Sequence, residues 1–221
     1  MMKHGFNLAI DGPAGAGKST IAKRVAREKN YIYVDTGAMY RAMALYLIQQ
    51  KIAPEDTEEI SKACMQAEIS IEYQHGEQVV LLNGENVNAY LRTEEVGNMA
   101  SYSSAVPAVR EKLVELQRKL AKTADVVMDG RDIGTVVLPD ADVKIYLTAS
   151  SHTRAKRRYL ELLEKGETAD IEQIEQDIKE RDYRDMHREH SPLRQAEDAV
   201  LLDSSGLTIE EVVERILDLC R

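Results

Sequence analysis

The chain has 221 residues, of which 43% are hydrophobic and 30% charged, and its 29 Lys and Arg against 38 Asp and Glu leave a net charge of -9. That length fits one globular unit or a main domain with an appendage, and the acidic field argues against a protein built to bind nucleic acid or an anionic membrane. With no Trp, one Phe and two widely separated cysteines, Cys64 and Cys220, nothing points to an aromatic stacking surface, a disulfide framework or a structural zinc site.

In chain order, FNLAID at 6–11 is predicted as a short buried strand. The apolar run is too short for a signal-peptide core or a membrane span, which predicts a cytoplasmic protein. A glycine-rich turn leads into KSTIAKRVAREK, whose apolar residues at 21, 22, 25 and 26 make a helical stripe. YIYV at 31–34 reads as a second strand, 37–50 as a second helix, and the charged run after Pro54 as a third helix ending near Ala67. The pattern then changes. ISIEY at 69–73 and QVVLLN at 78–83 are β-rich, and the Asn83-Gly84 pair is a turn signal into a third extended piece, so a small antiparallel insert is expected. Helices are predicted at 93–104 and 107–122, apolar strands at 125–129, 143–148 and 199–203, a long charged helical region at 151–188, and a closing amphipathic helix in LTIEEVVERILDL. Strands separated by helices imply an α/β fold with a parallel sheet, whose ligands bind at the carboxyl ends of the strands.

GPAGAGKS at 12–19 matches GxxxxGK[ST] between a predicted strand and a predicted helix. Gly12, Pro13, Ala14, Gly15, Ala16, Gly17, Lys18, Ser19 and Thr20 are therefore the candidate nucleotide-binding residues. Glycines let backbone N–H groups converge on phosphate oxygens, and the helix N-terminus adds partial positive charge. Pro13 fixes φ within the loop. Lys18 is expected at the β and γ phosphates, and Ser19 at a magnesium ion. The chain has no NKxD guanine signature and no LSGGQ transporter signature. A kinase acting on a small acceptor is favoured.

The acceptor side is sought at the other strand ends. DTGAMYR at 35–41 places Thr36, Tyr40 and Arg41 about one helical turn apart, with a cation suited to a phosphate. MDGRDIGT at 128–135 crowds Asp129, Arg131 and Asp132 into a turn, where Asp129 stands as a magnesium-shell carboxylate would. A plain turn held by Asx hydrogen bonds and an Arg–Asp pair is the competing reading. Arg154, Arg157 and Arg158 fall at i, i+3, i+4 on one helix face, and Arg181, Arg184 and Arg188 at i, i+3, i+7 on another. Against a catalytic role stand a solvated cationic face for the first set and helical ion pairs with Asp177, Asp182 and Asp185 for the second. Two arginine faces and a lysine loop in a net-acidic chain nevertheless suit phosphoryl transfer, in which positioned cations supply most of the catalysis.

Through IDGPAGAGKSTIAK, YVDTGAMYRA, LNGENVNAYLRTEEV, VVMDGRDIGTVVLPDADVKIYLTAS, RAKRR, and ERDYRD with Arg188 downstream, the chain resembles bacterial cytidylate kinases over nearly its whole length. The resemblance implies a P-loop kinase with a five-stranded parallel sheet flanked by helices, a small antiparallel β insert and a helical lid. It implies transfer of the γ-phosphoryl of ATP, with Mg²⁺, to CMP or dCMP, with UMP a poorer acceptor. The implied plan is one kinase unit spanning 1–221, with an acceptor-binding part at about 36–105, the insert at about 66–92 and the lid at about 151–167. By the same resemblance Arg41, Arg131 and Arg188 hold the acceptor phosphate, and Ser101, Arg110 and Asp132 read the cytosine beside Thr36 and Tyr40. Arg181 and Asp185 contact the sugar. Lys18, Arg131, Arg154, Arg157 and Arg158 are the implied catalytic cations, Ser19 and Asp129 the metal residues. A monomer working on small-molecule substrates, without nucleic acid or membrane, is expected. Two alternatives stay open, a kinase preferring UMP or AMP and a nucleotide-dependent switch that forms no phosphorylated metabolite.

Overall fold

The computed structural model describes residues 5–221. Along the chain come β1 (Asn7–Asp11), α1 (Lys18–Lys29), β2 (Ile32–Asp35), α2 (Thr36–Gln49) and α3 (Thr57–Cys64). The insert supplies β3 (Ile69–Gln74), β4 (Glu77–Leu82) and β5 (Glu85–Asn86), and α4 (Glu94–Ser103) and α5 (Pro107–Ala121) follow it. The chain closes with β6 (Val126–Gly130), β7 (Val143–Thr148), α6 (Ser151–Glu164), α7 (Ile171–His187), β8 (Val200–Asp203) and α8 (Ile209–Leu219).

Five strands form the parallel sheet in the order β2-β6-β1-β7-β8, and β3-β4-β5 form a separate antiparallel sheet. The expected fold class is the observed one. Central parallel strands are covered on both faces and so read as unbroken apolar runs. Accordingly Leu8, Ala9 and Ile10 of β1 are fully buried and every residue of β6 is buried, whereas the edge strand β8 leaves Val200 and Leu201 exposed.

The chain folds as two compact units, one comprising Ile32–Val126 together with Gly5 and Phe6, the other Asn7–Tyr31 and Val127–Arg221. In the first, Met39, Met43 and Leu47 of α2 are fully buried, and Asp35 caps that helix by accepting from the Ala38 N–H at 2.9 Å. The hairpins of the insert turn through His75-Gly76 and Asn83-Gly84, both residues of each pair having positive φ, as two-residue hairpin turns require. Gln78 of β4 ties the insert to β2. Its Oε1 accepts from the Asp35 N–H at 2.8 Å and its Nε2 donates to the Asp35 carbonyl at 3.2 Å.

In the second unit, α8 begins with the reciprocal pair of bonds between Thr208 and Glu211 and buries Val212, Val213 and Ile216. Two expectations are refined here. The charged region 151–188 is not continuous: α6 ends before Gly166, which has φ +77°, and α7 restarts where Asp170 accepts from the Glu172 and Gln173 N–H groups. The turn after β6 also continues, as a single π-type helical turn at Ile133–Val137 with Val137 N–H on Asp132 O at 3.1 Å and Leu138 N–H on Ile133 O at 2.7 Å.

Candidate active site

The loop between β1 and α1 is shaped by close approach. A Cβ on Gly12 would lie 1.9 Å from the Leu147 carbonyl oxygen, so no larger residue fits there. Gly17, at φ +88°, is the N-cap of α1 and brings no side-chain cap, whereas α2, α3, α4, α6, α7 and α8 each begin with a side chain accepting from their first N–H groups. The first N–H groups of α1 are thus left for a ligand of negative charge.

Lys18 is buried, and its Nζ donates to the Pro13 carbonyl at 2.8 Å. Burial and then the Arg131 guanidinium lower its pKa to about 7, while Asp129, Asp11 and Asp185 pull it back up. Ser19 Oγ donates to Asp129 Oδ2 at 3.0 Å. A hydroxyl and a carboxylate this close suit Mg²⁺, a hard ion that takes one or two protein oxygens and completes its shell with phosphate and water.

Two of the three arginines of α6 singled out by spacing lie against this loop, and one does not. The stem of Arg154 lies against Gly15, where an added Cβ would sit 3.4 Å from the Arg154 Cβ; Arg157 Nη1 would be 3.9 Å from a Cβ on Gly17. Arg154 is buried, and its guanidinium donates to the Ala149 carbonyl at 2.8 Å, the Ala14 carbonyl at 2.9 Å and Asp182 Oδ2 at 2.6 Å. Arg157 donates to the Ser204 carbonyl at 2.9 Å. Arg158 is exposed and pairs with Glu161 at 2.9 Å on its own helix. The single cationic face read from spacing therefore divides into one buried brace, one loop neighbour and one surface ion pair.

In the same unit, arginines gather around Asp185. Burial alone would raise this carboxyl, but Arg131, whose Nε donates to it at 3.0 Å, holds it below the ordinary value together with Arg181 and Arg188. Arg188 also stands 3.9 Å from Asp132. The acids Asp182 and Asp185 thus pair with arginines of other elements, which goes beyond the helical pairing considered from sequence. Arg131, Arg181 and Arg188 thus share one neighbourhood with Asp185 and Asp132, cations of the type that a phosphate would pair with.

The first unit holds Thr36, Tyr40, Arg41, Ser101 and Arg110. Arg110 is buried, donates to the Ser104 carbonyl at 2.9 Å and lies over the Tyr40 ring at 5.3 Å from its centroid. Thr36 is buried at the start of α2, one turn from Tyr40 and Arg41.

The family model for cytidylate kinase matches residues 8–221. The chain belongs to the cytidylate kinase family. It is 53% identical over 214 residues to a cytidylate kinase of Caldicellulosiruptor saccharolyticus, covering 97% of this chain and 95% of that one. It is 50% identical over 223 residues to a cytidylate kinase of Lactobacillus johnsonii, covering 99% and 97%. Among solved structures, an uncharacterized protein from Eubacterium ventriosum superposes with a TM-score of 0.53 at 13% identity, covering 96% of each chain, a likeness of fold alone.

For this member of the cytidylate kinase family, the structure adds residues that spacing did not single out. Asp11 ends β1, is buried, and accepts from the Ile133 and Gly134 N–H groups, each at 2.7 Å, so it fixes the π-type turn that follows Asp132. Burial raises its carboxyl to about 6 despite those two bonds. Its place just before the phosphate loop was the available signal. Ser204, the partner of Arg157, lies 47 residues away in sequence and carries no motif.

Proposed function

We propose that the protein transfers the γ-phosphoryl group of ATP to CMP and dCMP, giving CDP and dCDP and supplying pyrimidine nucleotide metabolism. The observation that carries this is the cytidylate kinase family match over residues 8–221, in a chain that also has an uncapped phosphate-loop helix and an arginine cluster around Asp185.

In this reading the N–H groups at the start of α1 bind the ATP phosphates, and Lys18 exchanges the Pro13 carbonyl for a phosphate oxygen. Ser19 and Asp129 would hold Mg²⁺, which when bound neutralises charge on the β and γ phosphates. Arg157 stands beside the loop to meet the same phosphates. Arg154 supports the loop, and Arg158 joins them if α6 turns inward. Arg131 and Arg188 take the acceptor phosphate with Arg41. Its second pKa of about 6 leaves it largely ionised at neutral pH, so the nucleophile needs no general base. What it needs is relief from repulsion between two polyanions, which fixed cations give most strongly where water is excluded.

Ser101, Arg110 and Asp132 are assigned to the cytosine, with Thr36 and Tyr40 lining its pocket, and Arg181 and Asp185 to the sugar. The acceptor-binding part is placed at about 36–105 with the insert at about 66–92, and the lid at about 151–167. A cytoplasmic monomer is part of the same reading. Among the described residues no helix is long and apolar enough to cross a membrane. The test is a coupled assay of ADP release with ATP, Mg²⁺ and each of CMP, dCMP, UMP and AMP. CMP and dCMP should be the best acceptors, and a preference for UMP or AMP would overturn the assignment.

A further inference from the structure

Asp182 has no place in the reaction as described, yet it is one of the most enclosed acids of the second unit. Its side chain is 13% exposed, Oδ2 accepts from Arg154 Nη2 at 2.6 Å, and Oδ1 is buried without a hydrogen-bond partner. A largely enclosed carboxylate with one partnered oxygen depends on that partner. Arg154 in turn is fixed at both ends: its stem covers Gly15, Nη1 donates to the Ala14 carbonyl, and Nε donates to the Ala149 carbonyl after β7. The Arg154 hydrogen bond satisfies the Ala14 carbonyl and restrains the orientation of that peptide, in a loop whose N–H groups are read as phosphate donors.

We propose that Asp182 is a positioning residue for the ATP site: through Arg154 it holds the Ala14–Gly15 segment of the phosphate loop in the conformation that receives the nucleotide. The link runs from α7 to the loop in two side chains. Because α7 also carries Arg181 and Asp185, it ties the donor loop to the helix assigned to the acceptor. This rests on the reading of residues 12–19 as the ATP loop, and only its second half rests on the acceptor assignment.

The test is a double-mutant cycle on the full chain, with Asp182→Asn, Arg154→Gln and the pair together, each checked for folding by thermal melting. Affinity for a non-hydrolysable ATP analogue with Mg²⁺ is measured by calorimetry without any acceptor, and affinity for CMP is measured separately. Asp182→Asn should weaken analogue binding about tenfold, the scale of a lost charge-assisted hydrogen bond, and change CMP binding less than about twofold. In the Arg154→Gln background the same change should have no further effect, because the residue acts through Arg154. Should Arg154→Gln fail to fold, Arg154→Lys replaces it in the cycle. Additive losses in the double variant, an equal loss for CMP, or a lowered melting temperature with unchanged analogue binding would each overturn the proposal. If CMP is not bound by the wild-type chain but the cycle behaves as stated, the acceptor assignment falls and the role of Asp182 stands.

Discussion

Lys18 and Asp11 illustrate how burial prepares single residues in this site. The Lys18 Nζ donates to a neutral carbonyl, and burial and Arg131 lower its pKa to about 7 against the pull of Asp129, Asp11 and Asp185; a phosphate would add anionic charge there and favour the ammonium. Lys18→Ala should reduce kcat by roughly 10³ or more while the fold is retained, as steady-state rates and a melting curve would show; a loss of less than about tenfold would contradict its role. Asp11 runs the other way. Folded, it keeps its proton up to about 6, whereas its ordinary value is 3.8. The folded state therefore binds more protons between those values, and the contribution of Asp11 to stability falls as pH rises through that window. Asp185, held below its ordinary value, contributes stability at neutral pH that is lost as the solution becomes acid. A carboxyl-carbon NMR titration of Asp11 should have its midpoint near 6. A midpoint near 3.8 would mean that the Ile133 and Gly134 N–H groups fully offset burial.

At the scale of elements, sequence periodicity located strands and helices well because each lies between turn residues with a physical reason to be there. Gly76 and Gly84 have positive φ in the insert, and Gly17 ends the phosphate loop with positive φ. The break between α6 and α7 was less legible, since Gly166 and Asp170 are embedded in a charged stretch with no apolar period to interrupt. The destinations of Arg154 and Arg157 on α6 were not legible at all, because Asp182 is 28 residues from Arg154 and spacing on one helix says nothing of its partners on another element. Arg158 was the exception, its partner Glu161 being three residues on. Gln78 makes a prediction at this scale. It bonds the N–H and the carbonyl of Asp35, the residue that caps α2 and precedes Thr36, so Gln78→Leu removes two part-buried hydrogen bonds at a cost of about 1–3 kcal/mol. The melting temperature should fall by about 2–4 °C for each kcal/mol lost, and KM for CMP should rise more than KM for ATP. Equal changes in both would show that the clamp supports the unit as a whole rather than the start of α2.

Over the whole molecule, a net charge of -9 coexists with arginines gathered around Asp185 and the phosphate loop. Arg131 and Arg154 are held by Asp185, which is buried, and Asp182, which is largely enclosed, whereas the glutamates and many other aspartates lie on the surface. The fold and the family were readable because motifs at strand ends are local in sequence; the ion pairs that orient them join distant segments and required the structure. The central claim is phosphoryl transfer to a cytidine monophosphate, and separating the products formed from ATP, Mg²⁺ and CMP tests it directly. The account predicts CDP and ADP in equal amounts, with no inorganic phosphate beyond the background; ADP and phosphate without CDP would contradict it.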